Sequence, residues 1–173
     1  MEIPRLETER LLLREYRPSD FDAYAAMVAD PDVMRFLADG RPLSRADAWR
    51  QMAFFAGHWQ LRGFGVWAVE EKATGAFVGR IGCFEPEGWP GFEVAYTLAR
   101  PAWGKGYARE GAAVSLAYAR DVLHRDPIYS VIRPGNARSI AVARSFGAER
   151  EREVEFFGAA AELYRYPGRG ELG

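Results

Sequence analysis

The chain has 173 residues, with 23 Lys and Arg against 24 Asp and Glu, two His and one Cys. That length suits a single compact domain spanning residues 1–173, large enough to bury roughly 70% of its unfolded surface without a disulfide or metal staple. A content of 49% hydrophobic and 27% charged residues excludes intrinsic disorder, and a formal net charge of −1 argues against a nucleic-acid-binding chain.

The most apolar run, Gly111 to Ala119, is far short of the roughly 20 residues that cross a bilayer, so no membrane association is expected. The opening Met1-Glu-Ile-Pro-Arg-Leu-Glu carries acidic residues and no apolar stretch, unlike a secretory leader. A lone Cys83 cannot form an internal disulfide. Together these features point to the cytoplasm.

In chain order, Leu11 to Tyr16 reads as a strand ended by Pro18. Ser19, with Asp22 three residues on, is expected to cap a helix whose apolar face is Phe21, Tyr24, Met27 and Val28. A second helix is expected from Ser44, with Asp47 at the capping-box position, Trp49, Met52, Phe55 and Trp59 at helical spacing, and Gly63 as its stop. The pattern then switches to period two. Residues 65–70 and 76–84 read as strands joined by a turn at Thr74-Gly75, followed by a loop over 85–91.

The strand from Phe92 to Leu98 should place Phe92, Val94, Tyr96 and Leu98 on one face and Glu93, Ala95 and Thr97 on the other. A helix follows from Tyr107 to Leu123, with Ala108, Ala112, Leu116, Ala119 and Leu123 packing closely on a sheet. Ile128 to Arg133 is a short strand. Asn136 caps another helix, Gly147 closes it, and residues 149–156 and 159–166 form a hairpin turning at Gly158. The alternating Glu and Arg of residues 149–153 suit a solvated strand that resists edge pairing. The resulting order, β-α-α-β-β-β-α-β-α-β-β, is an α+β fold with a mixed sheet of about seven strands and about four helices. The strand–helix–strand unit from 92 to 133 must be parallel.

Chemistry concentrates in Leu98-Ala-Arg-Pro-Ala-Trp-Gly-Lys-Gly-Tyr-Ala-Arg-Glu110, where a strand passes through a glycine-bearing turn into a helix. Unpaired amides and the positive dipole end at a helix start attract anions, and Gly104 and Gly106 have no Cβ to hold one away. No Lys-Ser or Lys-Thr follows the glycines, so the NTPase loop is not matched. The dinucleotide pattern fails at Arg109, which stands where a third glycine belongs. The plainer alternative is a turn that only starts a helix.

Trp103-Gly-Lys-Gly-Tyr-Ala108 resembles the acyl-CoA loop of the GNAT N-acetyltransferases, Gln/Arg-x-x-Gly-x-Gly/Ala, with Trp103 in the Gln/Arg position. That departure, with Leu6 to Arg14, Asn136-Ala-Arg-Ser-Ile140 and Phe146-Gly147, is similar to the branch that acetylates ribosomal-protein N-termini. The resemblance covers nearly the whole chain. It implies central parallel strands splayed after Leu98, with acetyl-CoA as cosubstrate and a primary amine as acceptor, preferably a protein or peptide N-terminal α-amine. A small-molecule amine is the close alternative. A non-catalytic acyl-CoA or nucleotide-binding module is the alternative from another class.

The resemblance assigns CoA contacts to Tyr96, Thr97, Leu98 and the stretch Trp103, Gly104, Lys105, Gly106, Tyr107, Ala108 and Arg109, with Asn136. Lys105 and Arg109 are equally explained as a solvated helix face. Glu93, charged in an apolar strand just upstream of the loop, is the acid–base candidate, against the alternative of an exposed Glu on a wet sheet face. Ser139 is the candidate proton donor to the departing sulfur, because the position four residues later, where many family members carry Tyr, is Ala143. Equally, Ser139 serves its own helix start.

Cys83 has no feature of a reactive thiol. His58 and His124 fall on expected helices with no partners at ligand spacing, so no metal is expected. Trp49, Phe55 and Trp59 read as core; Phe36 and Trp89 are further candidates for an acceptor pocket. The arginines late in the chain (Arg133, Arg138, Arg144, Arg150 and Arg152) do not outweigh the net charge as a nucleic-acid surface. Monomer and homodimer are both compatible with the sequence.

Overall fold

The computed structural model describes residues 2–171. Its strands are β1 (Leu6–Glu7), β2 (Leu11–Arg14), β3 (Val66–Glu71), β4 (Ala76–Phe84), β5 (Glu93–Leu98), β6 (Tyr129–Ile132), β7 (Glu149–Phe156) and β8 (Ala159–Arg165). Its helices are α1 (Phe21–Ala29), α2 (Pro31–Met34), α3 (Arg45–Arg62), α4 (Tyr107–Asp121) and α5 (Ala137–Arg144). One eight-stranded sheet runs β1-β2-β3-β4-β5-β6-β8-β7. Every pairing is antiparallel except β5 with β6. The fold is therefore mixed α+β, with two short elements, β1 and α2, beyond those the pattern predicted. Two residues and a single turn are too short to leave a period in the sequence.

The local signals mostly act where the residues stand. Ser44 Oγ accepts the Asp47 N–H at 3.1 Å and starts α3, and Gly63 ends it in the left-handed region at φ 76°. Asn136 caps α5. At its other end Gly147 N–H bonds the Arg144 carbonyl and Ala148 N–H bonds that of Ala143, the paired closure of a left-handed C-terminus. Ser19 does not cap α1. Residues Pro18–Asp20 form a 3-10 turn, and Asp20 is drawn inward to accept both terminal nitrogens of Arg14 at 2.8 Å.

Trp49 corrects the aromatic stripe: it is 58% exposed, whereas Ala48, Phe55 and Trp59 are buried. At about 100° per residue Ala48 lies some 20° from Phe55 around the helix, and Trp49 about 120° away. The helix α4 ends at Asp121, so His124 lies beyond it, at φ 52°, and is not helical. Strand β7 is an edge strand, with Glu149 to Glu153 all exposed.

One face of the sheet packs Leu11, Leu13, Ile81, Val94 and Leu98 against Ala112, Leu116 and Ala119 of α4. The other packs Val66 and Phe84 against Tyr24, Met27, Val28 and Phe55 of α1 and α3. Strand β5 alternates between them, sending Glu93 and Thr97 towards α1 and α3. Among the described residues no helix is long and apolar enough to cross a membrane.

The only register between β5 and β6 is Glu93 opposite Tyr129, with Tyr129 N–H bonding the Phe92 carbonyl at 2.9 Å. One residue further the ladder is replaced by side chains. Val131 N–H goes to Glu93 Oε1 at 3.1 Å, and the Val94 carbonyl accepts Ser130 Oγ–H at 2.7 Å. These two side chains act as wedges, satisfying the edge groups that would otherwise zip the strands together. Beyond them β5 and β6 separate.

Candidate active site

The gap between the splayed strands opens into a cleft of about 960 Å³. Its floor is Tyr96, Thr97 and Leu98 of β5. One wall is Trp103, Gly104, Gly106, Tyr107, Ala108 and Arg109, the other is Asn136 and Ser139 at the start of α5, and Val33, Phe36 and Leu37 close the top. Strand alternation turns backbone groups of β5 towards this gap. Ala99 N–H bonds the Val78 carbonyl at 2.9 Å, so the odd-numbered residues serve β4 and Tyr96 presents its N–H and C=O to the cleft.

Beyond β5 a 3-10 turn at Arg100–Ala102 leads to Trp103, whose indole N–H bonds the Leu98 carbonyl at 2.9 Å and ties the loop to its strand. Gly104 and Gly106 both adopt left-handed backbone, at φ 75° and 81°. A Cβ at Gly104 would meet nothing within 4 Å, so the space above it is free for a ligand. The first backbone bond of α4 runs from Glu110 N–H to the Gly106 carbonyl at 3.1 Å, leaving the amides ahead of it outside the helix ladder.

The loop is held from below. Glu110 accepts Thr8 Oγ1–H at 2.6 Å, Arg10 N–H at 2.8 Å and Arg10 Nε–H at 2.7 Å, and Arg10 Nη1 donates to the Lys105 carbonyl at 2.8 Å. Two stretches almost a hundred residues apart thus form one latch, with Arg10 also stacked on the Tyr107 ring at 4.7 Å.

Not every expected contact residue faces the cleft. The Lys105 side chain is 48% exposed and turns to Glu71 at 3.4 Å, away from the lining. Arg109 does line the cleft, with its guanidinium over the Phe146 ring. Asn136 is occupied as a cap, its Oδ1 accepting the Ser139 N–H at 3.4 Å. Ser139 borders the cleft, and its carbonyl accepts the Tyr96 hydroxyl at 2.9 Å. Arg138, singled out in the sequence only as one of several late arginines, also lines the cleft and stacks on Trp103 at 4.1 Å.

Glu93 is buried, at 6% exposure, so the reading of a wet sheet face does not hold. Its Oε2 accepts the Trp89 indole N–H at 2.7 Å and its Oε1 accepts Val131 N–H. Burial pushes its carboxyl up to about 7, against the opposing effects of those two hydrogen bonds and the charge of Arg80. Each oxygen keeps a free lone pair. Glu93 sits at the apex where the strands part, behind the cleft lining. Trp89 itself packs edge-on against Phe84 and Phe156, at 4.9 and 4.7 Å.

The remaining candidates are structural in position. His58 is buried; its Nδ1 lies 2.8 Å from the Phe64 carbonyl and its Nε2 accepts Glu85 N–H, which fixes the tautomer, and burial lowers its proton affinity. Burial pushes the Cys83 thiol well up. No group of three His, Cys, Asp or Glu among the described residues is placed to hold a metal ion.

Comparison with known proteins agrees with this geometry. Residues 10–149 match the acetyltransferase (GNAT) domain family. The uncharacterised protein YkkB of Bacillus subtilis is 30% identical over 168 residues, covering 92% of this chain and 94% of that protein. The uncharacterised N-acetyltransferase p20 of Bacillus licheniformis is 28% identical, covering 84% and 83%. Among solved structures an acetyltransferase of Agrobacterium tumefaciens is 29% identical with a TM-score of 0.86, covering 96% of each chain. With a family match over most of its length and a fold shared end to end, the chain belongs to the GNAT acetyltransferase family.

Proposed function

We propose that this protein, acting as a single domain, transfers the acetyl group of acetyl-CoA to a primary amine, with a protein or peptide N-terminal α-amine as the acceptor. The observation that carries this reading is the coincidence of two features in one cleft, the free amides and left-handed glycines of 104–108 and the unpaired edge of β5, with Glu93 directly behind it at the apex of the splay. The acceptor class rests on the sequence resemblance to the ribosomal-protein branch.

In this reading the amides from Gly104 to Ala108 receive the pyrophosphate of the cosubstrate. The Tyr96 backbone groups pair with amides of the pantetheine arm as a neighbouring strand would. Arg109 and Arg138, both on the lining, supply positive charge for the remaining phosphate. The arm brings the thioester to the place where β5 and β6 part.

An incoming amine must shed a proton before its lone pair can attack the thioester carbonyl. Glu93, titrating near 7, accepts that proton through water. The new C–N bond forms, the C–S bond breaks, and the sulfur leaves with its electron pair. The Ser139 hydroxyl, on the α5 wall of the cleft, donates a hydrogen bond or proton to that sulfur.

The test is a panel of peptides and small amines incubated with acetyl-CoA, following thiol release and product mass. Acetylated peptides with a modified N-terminus are the expected outcome. Acetylation confined to small amines would move the acceptor class, and binding of acetyl-CoA without thiol release for any amine would leave a non-catalytic binding module.

A further inference from the structure

Two buried arginines stand on the same face of the sheet, and only one has a carboxylate partner. Arg14 is held by Asp20 and by Glu70 at 2.7 Å. Arg80, 7% exposed, lies on β4 opposite Thr97 of β5, and no carboxylate pairs with it among the described residues. Its guanidinium lies over the Phe55 ring at 4.5 Å, and its Nε has no hydrogen-bond acceptor. Besides that ring face it has only the neutral Tyr24 hydroxyl, and a largely buried cation with no counter-charge is costly unless a further partner arrives.

A second orphan shares the place. Tyr16 OH is the other buried side-chain atom without a partner, and its ring stacks on the same Phe55 at 6.5 Å. Both orphans are donors, an N–H and an O–H, converging from β4 and from the end of β2 on one ring. The buried carboxylates of the described residues are already engaged: Asp20 by Arg14 and the Arg17 N–H, Glu93 by Trp89 and Val131. The Tyr24 hydroxyl donates to Gln51 at 2.6 Å and offers no proton here. Native interiors seldom leave such groups unmet.

We propose that the Arg80 guanidinium, with the Tyr16 hydroxyl beside it, binds a carboxylate carried by the acceptor amine. The assignment rests on the acetyl-transfer reading above and narrows it. Thr97, the cross-strand neighbour of Arg80, lines the cleft, and Glu93 lies four residues along the same face of β5. An acceptor spanning this face places its anion at Arg80 and its amine towards Glu93. The planar fork of Arg suits a carboxylate held by two N–H groups, and the Tyr16 hydroxyl adds a third donor. Two sources present this chemistry: the side chain of an acidic residue at a peptide N-terminus, or the α-carboxylate of a free amino acid.

The experiment pairs each acid with its amide. One arm uses peptides beginning with Asp or Glu against the same peptides beginning with Asn or Gln. The other uses free α-amino acids against their amides. Rates of CoA thiol release are measured alongside calorimetric binding of the matching N-acetylated products in the presence of CoA. In at least one arm the acid should be favoured at least tenfold, and Arg80→Met should bring the acid-to-amide ratio to within about twofold of one, a ratio in which any change at Glu93 common to both acceptors cancels. Tyr16→Phe, which removes the second donor without changing shape, should lower the acid-to-amide ratio several-fold; it keeps the test intact if Arg80→Met does not fold.

Equal use of acid and amide in both arms, or a preference that survives Arg80→Met and Tyr16→Phe, overturns the assignment while acetyl transfer stands. Absence of thiol release with every amine overturns both.

Discussion

Under the proposed function the cosubstrate and the acceptor are held by opposite means. On the CoA side the working groups are backbone amides of residues 104–108, and side chains matter by being absent: both glycines are left-handed and the space above Gly104 is empty. On the proposed acceptor side the working groups are side chains, the buried Glu93 and Arg80 and the buried hydroxyl of Tyr16, each costly to place there. A backbone cradle is cheap to build, because helix-start amides are unpaired in any case. A buried charged face must be held by neighbours, here Trp89, Val131 and Phe55. The first should therefore be broken by adding atoms and the second by removing them.

The largest expected effect is on the acceptor side. Glu93→Gln should lower turnover about 10²- to 10⁴-fold near neutral pH, the usual range for a positioned general base. A rise at high pH, as the amine deprotonates unaided, should partly restore it. A loss of equal size at every pH would show that Glu93 only props the strands apart through Val131. The pH–rate profile of both forms makes the distinction.

The same carboxyl leaves a mark on stability. Its proton affinity is raised by the fold, from an ordinary 4.5 to about 7, so the folded state binds a proton that the unfolded state has released. Stability from this group is fully present below about pH 4.5 and lost as pH rises through 7, to a total of about 3 kcal/mol. Denaturation between pH 4.5 and 8 should show that decline in the parent and a flatter curve in Glu93→Gln.

Gly106→Asp attacks the cradle. It adds a Cβ in left-handed backbone, 3.4 Å from Arg10 Nη2, and so brings a negative charge to the latch beneath the amides proposed to meet the pyrophosphate. Hydrogen bonds to charged groups contribute roughly 1.5–3 kcal/mol each, so losing two should weaken CoA by about two orders of magnitude or more. Calorimetric titration with CoA, alongside circular dichroism to show a retained fold, checks this. Parent-like binding by the folded variant would displace the cradle.

Smaller effects separate chemistry from positioning. Ser139→Ala should reduce the maximal rate about tenfold with little change in acetyl-CoA affinity, consistent with one hydrogen bond to the departing sulfur. Weaker CoA with an unchanged rate would make it a positioning residue. Lys105→Ala should change CoA affinity by less than about threefold, because the side chain is half exposed and turned to Glu71. Measured by titration, a loss as large as that of Gly106→Asp would give the cradle a side-chain component.

Much of the architecture was legible because the signals were local. Ser44 with Asp47, Asn136 and the Gly63 and Gly147 stops all act within one turn of their own position, and the period-two run of 92–98 correctly separates Glu93 from Val94 and Leu98. The 104–108 cradle was legible for the same reason, since left-handed glycines before a helix are a matter of neighbouring dihedrals. Ser19 failed as a cap because Asp20 is claimed by Arg14, a tertiary demand that overrides a local preference. Trp49 failed because its spacing from Phe55 fits a helix without fitting the buried stripe.

What the sequence by itself determined is therefore all but the two shortest elements, their parallel crossover and the glycine-bearing turn into α4, each specified by residues within a few positions of one another. Only the tertiary structure decided what the charged residues do. That Arg10 and Glu110 form one latch, that Glu93 Oε1 replaces a ladder bond on β6, and that Arg80 and Tyr16 are left facing one ring without partners are facts of three-dimensional pairing. Charge and hydrogen-bond satisfaction depend on which strands become neighbours, and a one-dimensional pattern carries no distance between them.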